Sequence, residues 1–112
     1  MSRSTQTNIE SALRAVDERE SEFGVALQND AEAKHRYEMK QAQEFLDAEG
    51  TVDARKAIAL KNCDVEYLDY LKKKAVKEFT REKLKDAQDA LSARQSLLKY
   101  EAQTNFGYTS QT

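Results

Sequence analysis

The chain has 112 residues and a net charge of −2, and 34% of its residues are charged. With a mean hydropathy of −0.85, no proline and no tryptophan, it suits long helices with narrow apolar faces better than a domain with a large core. No apolar run approaches the roughly 20 residues that cross a bilayer, and the first residues, MSRSTQTN, lack the apolar segment of a signal peptide. We therefore expect a single domain in the cytoplasm, without membrane contact.

The first predicted helix spans residues 7–49 and follows a flexible N-terminus of residues 1–6. The sequence TNIE forms a capping box in which the side chains of Thr7 and Glu10 satisfy each other's backbone amides, so the helix should begin there. Apolar residues then recur at intervals of three and four, which is typical of an amphipathic helix. Gly24 lies within this pattern and costs about 1 kcal/mol against alanine, too little to end the helix.

A turn is predicted at residues 50–51, within the sequence EGTVD. Gly50 readily takes the left-handed conformation that closes a helix, Thr51 is a good N-cap, and Asp53 places a carboxylate in the first turn of the next helix. Together these signals predict that the chain reverses. The fold should then be all-α, a long antiparallel two-helix hairpin resembling a coiled coil. A single kinked rod is the alternative.

The second predicted helix spans residues 52–103, and residues 104–112 form a polar, flexible tail. The apolar residues of this helix repeat every eleven positions, which favours nearly straight packing against the first helix. The members of the repeat are Val65, Val76, Ala87 and Leu98, together with Leu68, Phe79 and Ala90.

The position of the turn predicts which residues of the two helices face each other. If the chain reverses at Gly50, residue x of the second helix lies level with residue 101 − x of the first. The second helix then projects past the start of the first, and two helices alone leave apolar side chains uncovered. Because exposed apolar surface marks interfaces, we expect a homo-oligomer, most simply a dimer that forms a four-helix bundle. The predicted interface consists of Tyr67, Tyr70, Leu71, Leu97, Leu98 and Tyr100.

Enzymatic chemistry is not expected. His35 is the one histidine, and the sequence contains no glycine-rich phosphate loop. Residues Glu32 to His35, EAKH, have the Glu-x-x-His spacing of di-iron sites, but the second helix offers no further histidine. An exposed polar histidine is therefore the favoured interpretation, and we expect no metal or cofactor. The lone cysteine, Cys63, fits a reducing compartment and a packing role better than a reactive thiol.

Charge is distributed unevenly along the chain. Residues 1–50 hold 6 basic and 11 acidic residues, whereas residues 51–112 hold 12 and 9, so the two predicted helices attract each other. Part of the basic surplus has no acidic residue level with it on the first helix. These lysines offer either salt-dependent contacts to nucleic-acid phosphates or an ordinary solvated face. They are Lys72, Lys73, Lys74 and Lys77.

The bend sequence AEGTVDARKA and the later segment LSARQSLLK resemble small helical-hairpin proteins of tailed bacteriophages. Proteins of that kind are often encoded beside recombination and single-strand annealing genes. The resemblance implies a non-enzymatic accessory protein of DNA recombination or replication in the host cytoplasm. It would act through a protein partner, with weak sequence-independent nucleic-acid binding as a second mode. The alternative is a structural role, as a scaffold, chaperone or virion component that grips its partner through the projecting end of the second helix.

Overall fold

The computed structural model describes residues 3–110, and it describes side chains as far as residue 104. Within this range the chain is all-α, as the composition predicts, and contains no strand. Three helices follow one another: α1 (Arg3–Asp47), α2 (Val52–Asn62) and α3 (Asp64–Ser110). In the described part of the chain, no helix combines the length and the apolar character that a membrane crossing requires.

The start of α1 differs from the sequence prediction. The helix begins at Arg3, so Thr7 lies inside it, and the Thr7 hydroxyl donates a hydrogen bond of 2.9 Å to the carbonyl of Arg3. A threonine hydroxyl commonly bonds the carbonyl four residues back, and this bond replaces the expected capping box with Glu10. The helix therefore includes residues 3–6, which the sequence prediction left outside it, while residues 1 and 2 lie outside the described part.

The turn lies where the sequence predicts it. Gly50 has φ +112°, a value that favours glycine. Thr51 caps α2 in an extended conformation, and its hydroxyl accepts a hydrogen bond of 3.2 Å from the amide of Ala54. Arg55 of α2 links the two ends of the turn, because its Nε and Nη2 donate hydrogen bonds of 3.1 and 3.0 Å to the carbonyl of Phe45 in α1. Its guanidinium also lies 4.3 Å from the centre of the Phe45 ring.

A second break, at Cys63, divides the single helix predicted for residues 52–103. Cys63 has φ −103° and ψ 13°, and its amide is shared between the carbonyls of Ala59 and Leu60. The side chain of Asn62 donates to Glu44 of α1 at 3.0 Å, which ties the break to the neighbouring helix. Asn, Cys and Asp at positions 62–64 are weak helix formers, so tertiary contacts can interrupt the helix here at low cost.

The end of α3 also differs from the prediction. The helix continues through residues 104–110, where the sequence predicts a flexible tail. The segment contains one glycine and no proline, and a single glycine does not stop a helix. The side chains of Phe106 and Tyr108, and residues 111–112, lie outside the described part.

The chain forms two compact units. The terminal unit comprises Met1–Phe23 and Thr80–Thr112, and the central unit comprises Gly24–Phe79. Small or polar side chains are buried in both. The buried residues of the terminal unit include Thr5, Ala12 and Val16, and those of the central unit include Ala26, Asp30, Ala33, Ala59 and Cys63.

In the central unit, the face that α3 turns toward α1 is not the predicted eleven-residue repeat. Val65, Leu68, Val76 and Phe79 are exposed there. Buried and half-buried residues recur instead at intervals of three and four in a seven-residue pattern, which keeps one face of a long helix against its neighbour. We name this face the polar seam. It contains Cys63 at the break and Glu66, Tyr70, Lys73 and Lys77 on α3, and on α1 it contains Ala26, Asp30, Ala33, Tyr37, Lys40 and Glu44.

The residues that lie level with each other in the central unit differ from the prediction. Near the turn, Arg55 contacts Phe45, one residue from its predicted level. Asn62, at the end of α2, contacts Glu44 instead of the neighbourhood of residue 39, and Lys77 contacts Asp30 instead of the neighbourhood of residue 24. The shift is therefore present before the break at Cys63 and persists along α3.

Alanine substitutions at Gly50 in the turn and at Gly24 in α1 should change the free energy of unfolding in opposite directions. Gly50→Ala forces an alanine to φ +112° and should lower the free energy of unfolding by about 1–2 kcal/mol. Gly24→Ala adds a Cβ that meets no atom within 4 Å and should raise it by up to about 1 kcal/mol. Urea unfolding followed by circular dichroism measures both, and equal effects of the two variants would contradict this account of the turn.

Candidate interaction surface

A partly buried ion pair lies at the centre of the polar seam. Lys77 Nζ is 3.0 Å from Asp30 Oδ2, and the two side chains are 19% and 11% exposed. The second carboxylate oxygen, Asp30 Oδ1, is buried and has no hydrogen-bond partner within the described range. The prediction that Lys77 is uncompensated is therefore wrong, because the shifted pairing of α3 with α1 brings Asp30 to it.

The other three lysines of the predicted basic cluster are placed differently from one another. Lys72 and Lys74 are exposed, whereas Lys73 is half-buried in the polar seam. The four cations therefore do not form one continuous patch. Two of them remain fully available to an anionic partner.

Three tyrosines pack together in the central unit. The Tyr37 ring centre lies 5.1 Å from that of Tyr67 and 6.1 Å from that of Tyr70, with the latter pair nearly parallel at 13°. Burial, followed by the nearby Tyr67 and Cys63, raises the pKa of Tyr37. The sequence interpretation left Tyr70 without a partner in the same chain, but Tyr37 covers part of it. Tyr67 and Leu71 remain about 40% exposed.

Cys63 lies beside a group of charged residues near the break. Its side chain is fully buried, and burial first, then the negative charge of Glu66, raises the pKa of its thiol. Glu44 accepts hydrogen bonds from Asn62 and Lys40, and these bonds lower the pKa of its carboxyl. Glu66 Oε2 is buried without a hydrogen-bond partner among the described residues. A raised thiol pKa disfavours the nucleophilic thiolate, in agreement with a packing role.

The predicted metal-ligand spacing produces no cluster. His35 is exposed, and Glu32 accepts a hydrogen bond of 3.1 Å from Gln28 of its own helix. The described residues contain no group of three His, Cys, Asp or Glu side chains that could hold a metal ion.

In the terminal unit, α1 accompanies α3 as far as Glu101. Thr5 donates to both carboxylate oxygens of Glu101 at 3.1 Å. The projecting end predicted for residues 95–103 is therefore wrong as far as Glu101, because α1 begins four residues earlier than expected and Thr5 lies level with Glu101 instead of residue 96. Leu98 is half-buried, while Leu97 and Tyr100 are exposed. Leu97 lines a shallow groove of about 330 Å³ together with Ala90, Ala93 and Arg94.

In the central unit, α3 also carries a row of exposed apolar residues. We name Val65, Leu68, Val76 and Phe79 the outer stripe. Their spacing belongs to the eleven-residue repeat, which the sequence predicts to pack against the first helix. The polar seam occupies the opposite side of α3, so the outer stripe is left on the surface.

Comparison with known proteins identifies no relative. No protein-family model, no curated protein and no solved structure matches the chain. The function must therefore be argued from the surface itself.

The ion pair of the polar seam predicts an asymmetric response to mutation. Lys77→Met leaves the buried Asp30 carboxylate without its cation and should lower the free energy of unfolding by about 3 kcal/mol. Adding Asp30→Asn to that variant removes the buried charge and should restore much of the loss. Lys74→Met, on the exposed side, is the control and should change stability by less than about 0.5 kcal/mol. Equal effects of Lys77→Met and Lys74→Met in urea unfolding would contradict the pairing.

The buried thiol predicts a pH dependence of stability. The folded pKa of Cys63 is raised, so its contribution is complete below the ordinary thiol pKa of about 8.5. The contribution is lost as pH rises through the folded pKa. The difference in unfolding free energy between the wild type and Cys63→Ala should therefore stay constant from pH 6 to 8 and shrink above it. A difference that grows with pH would contradict burial of the neutral thiol.

Proposed function

We propose that this protein is a non-enzymatic helical hairpin that self-associates and acts through protein–protein contacts. The observation that carries the proposal is the reversed distribution of its apolar residues. The buried side chains are mainly Ala and Cys, while large apolar residues such as Leu68 and Phe79 are exposed. Exposed apolar patches of this kind mark interaction sites, and a chain with a small core gains stability from association.

The hairpin is supported by contacts within the central unit. Along α1, the residues Asp30, Arg36 and Phe45 contact residues that come in the reverse order along α2 and α3, namely Lys77, Asp69 and Arg55. Antiparallel helices produce this order. A dimer of such hairpins would bring four helices together.

The biological setting that we propose follows from the resemblance to small phage proteins. An accessory protein of DNA recombination or replication in the host cytoplasm needs a partner-binding surface and no catalytic centre. The exposed apolar residues provide such a surface. Tyr67, Leu71, Leu97 and Tyr100 are the members of the predicted interface that remain exposed.

Direct nucleic-acid contact is the weaker second mode. Its support is reduced because Lys77 is engaged by Asp30 and Lys73 is half-buried. Lys72 and Lys74 alone give few phosphate contacts, and affinity for nucleic acid rises with the number of such contacts.

A scaffold, chaperone or virion component is the alternative to an accessory protein of recombination. The shallow groove beside Leu97 offers this role a place to grip a partner. It does not depend on the projecting helix end that the sequence suggested.

The proposal predicts self-association and weak or absent DNA binding. Sedimentation equilibrium from 1 to 100 µM should show a concentration-dependent dimer, because the exposed apolar residues are buried on association. Anisotropy of labelled single-stranded and duplex DNA, at roughly 50 and 200 mM salt, should show little binding.

Two results would contradict this proposal. A strictly monomeric protein across the concentration range would remove self-association. Tight DNA binding that falls steeply with salt and is lost on charge reversal of Lys72, Lys73 and Lys74 would instead establish the nucleic-acid role.

A further inference from the structure

The outer stripe is a regular apolar surface on one side of α3. Val65, Leu68, Val76 and Phe79 are 78%, 51%, 50% and 60% exposed. Lys72 occupies the middle of the stripe, so its members follow one another at intervals of three or four residues. At 100° per residue all five positions fall within one narrow face of the helix. This face lies opposite the polar seam.

The spacing of the stripe is the same in both directions. Val65 and Phe79 are each seven residues from Lys72, and Leu68 and Val76 are each four residues from it. If two copies of α3 lie antiparallel and cross at Lys72, Val65 of one copy meets Phe79 of the other, and Leu68 meets Val76. A two-fold interface requires this kind of self-complementary patch.

We propose that the outer stripe is the contact between two copies of this chain, with α3 antiparallel to α3 and the two-fold axis at Lys72. This inference rests on the proposed self-association and specifies its geometry. Because α1 lies on the other side of α3, the four helices would follow one another as α1, α3, α3 and α1. They would not enclose a common core as in a closed four-helix bundle.

The area of the stripe sets the strength of the contact. With side-chain areas of about 150–200 Å² each, the four exposed fractions give a patch on the order of 400 Å² per copy. With the flanking side chains, two copies bury roughly 1,000 Å², which is the lower limit for a specific interface. We therefore expect a dissociation constant in the micromolar range.

Lys72 would limit the stability of the dimer and fix the register of the two α3 helices. The two Lys72 ammonium groups approach each other at the axis, which costs free energy, while their aliphatic stems cover apolar surface. A single lysine in an apolar helix face fixes register and oligomeric state at the expense of stability. Lys72→Leu should thus tighten the dimer about three- to tenfold, by removing the repulsion between like charges.

The stripe is tested by matched valine variants. Val76→Asp places a carboxylate in the interface of both copies and should weaken dimerisation about 100-fold or more, as measured by sedimentation equilibrium. Val25→Asp, at a similarly exposed valine on α1, is the control and should leave the dissociation constant within about twofold of the wild type. Circular dichroism of both variants establishes that the helices remain folded.

The axis is tested by cross-linking. In a Cys63→Ala background, Lys72→Cys should form a disulfide-linked dimer rapidly on mild oxidation, because its two copies meet at the axis within disulfide reach. Lys74→Cys lies on the other side of α3 and should cross-link slowly. Slow cross-linking at both positions would overturn the geometry.

The outcomes separate this inference from the proposed function. If Val76→Asp still dimerises while Leu97→Asp or Leu71→Asp does not, self-association stands and the outer stripe is not its interface. If the wild type is a monomer at all concentrations, both self-association and the stripe contact fail.

Discussion

The pairing of α1 with α3 in the central unit depends on one interaction, the ion pair between Asp30 and Lys77. Both side chains are largely withdrawn from solvent, and 3.0 Å separates their charged atoms. An unpaired charge at either position would be costly, so the pair permits few alternative registers of the two helices. The small residues Ala26 and Ala33 on the same face of α1 allow the close approach that brings the charges together.

This constraint explains why the apolar residues lie outside. In the central unit, a seam that holds lysines, an aspartate, glutamates and tyrosines leaves no room for the members of the eleven-residue apolar repeat, and Val65, Leu68, Val76 and Phe79 are therefore exposed. The free energy of burying large side chains is then available for association with another molecule rather than for folding of the single chain. The proposed association would thus use the apolar face of α3, opposite the polar face that packs against α1.

The same constraint decides how charge is presented. A cluster of four lysines along one stretch of α3 suggests a nucleic-acid surface, yet the seam withdraws Lys77 and part of Lys73 from it. The remaining exposed lysine of the stripe, Lys72, lies among apolar residues, where a cation limits the strength and register of a protein contact. The charge of this region therefore fits the proposed protein association better than phosphate binding.

The sequence by itself determined the local features of this protein. The all-α fold follows from its composition. The turn and the cap of α2 follow from Gly50 and Thr51, because backbone conformation and capping depend on adjacent residues.

The tertiary structure alone decided the break at Cys63, the six-residue change in pairing that brings Asp30 to Lys77, and the face by which α3 meets α1. The eleven-residue repeat could be read from the sequence, but not what it contacts. Periodicity defines a face of a helix, and only the packing of distant residues decides which neighbour covers it.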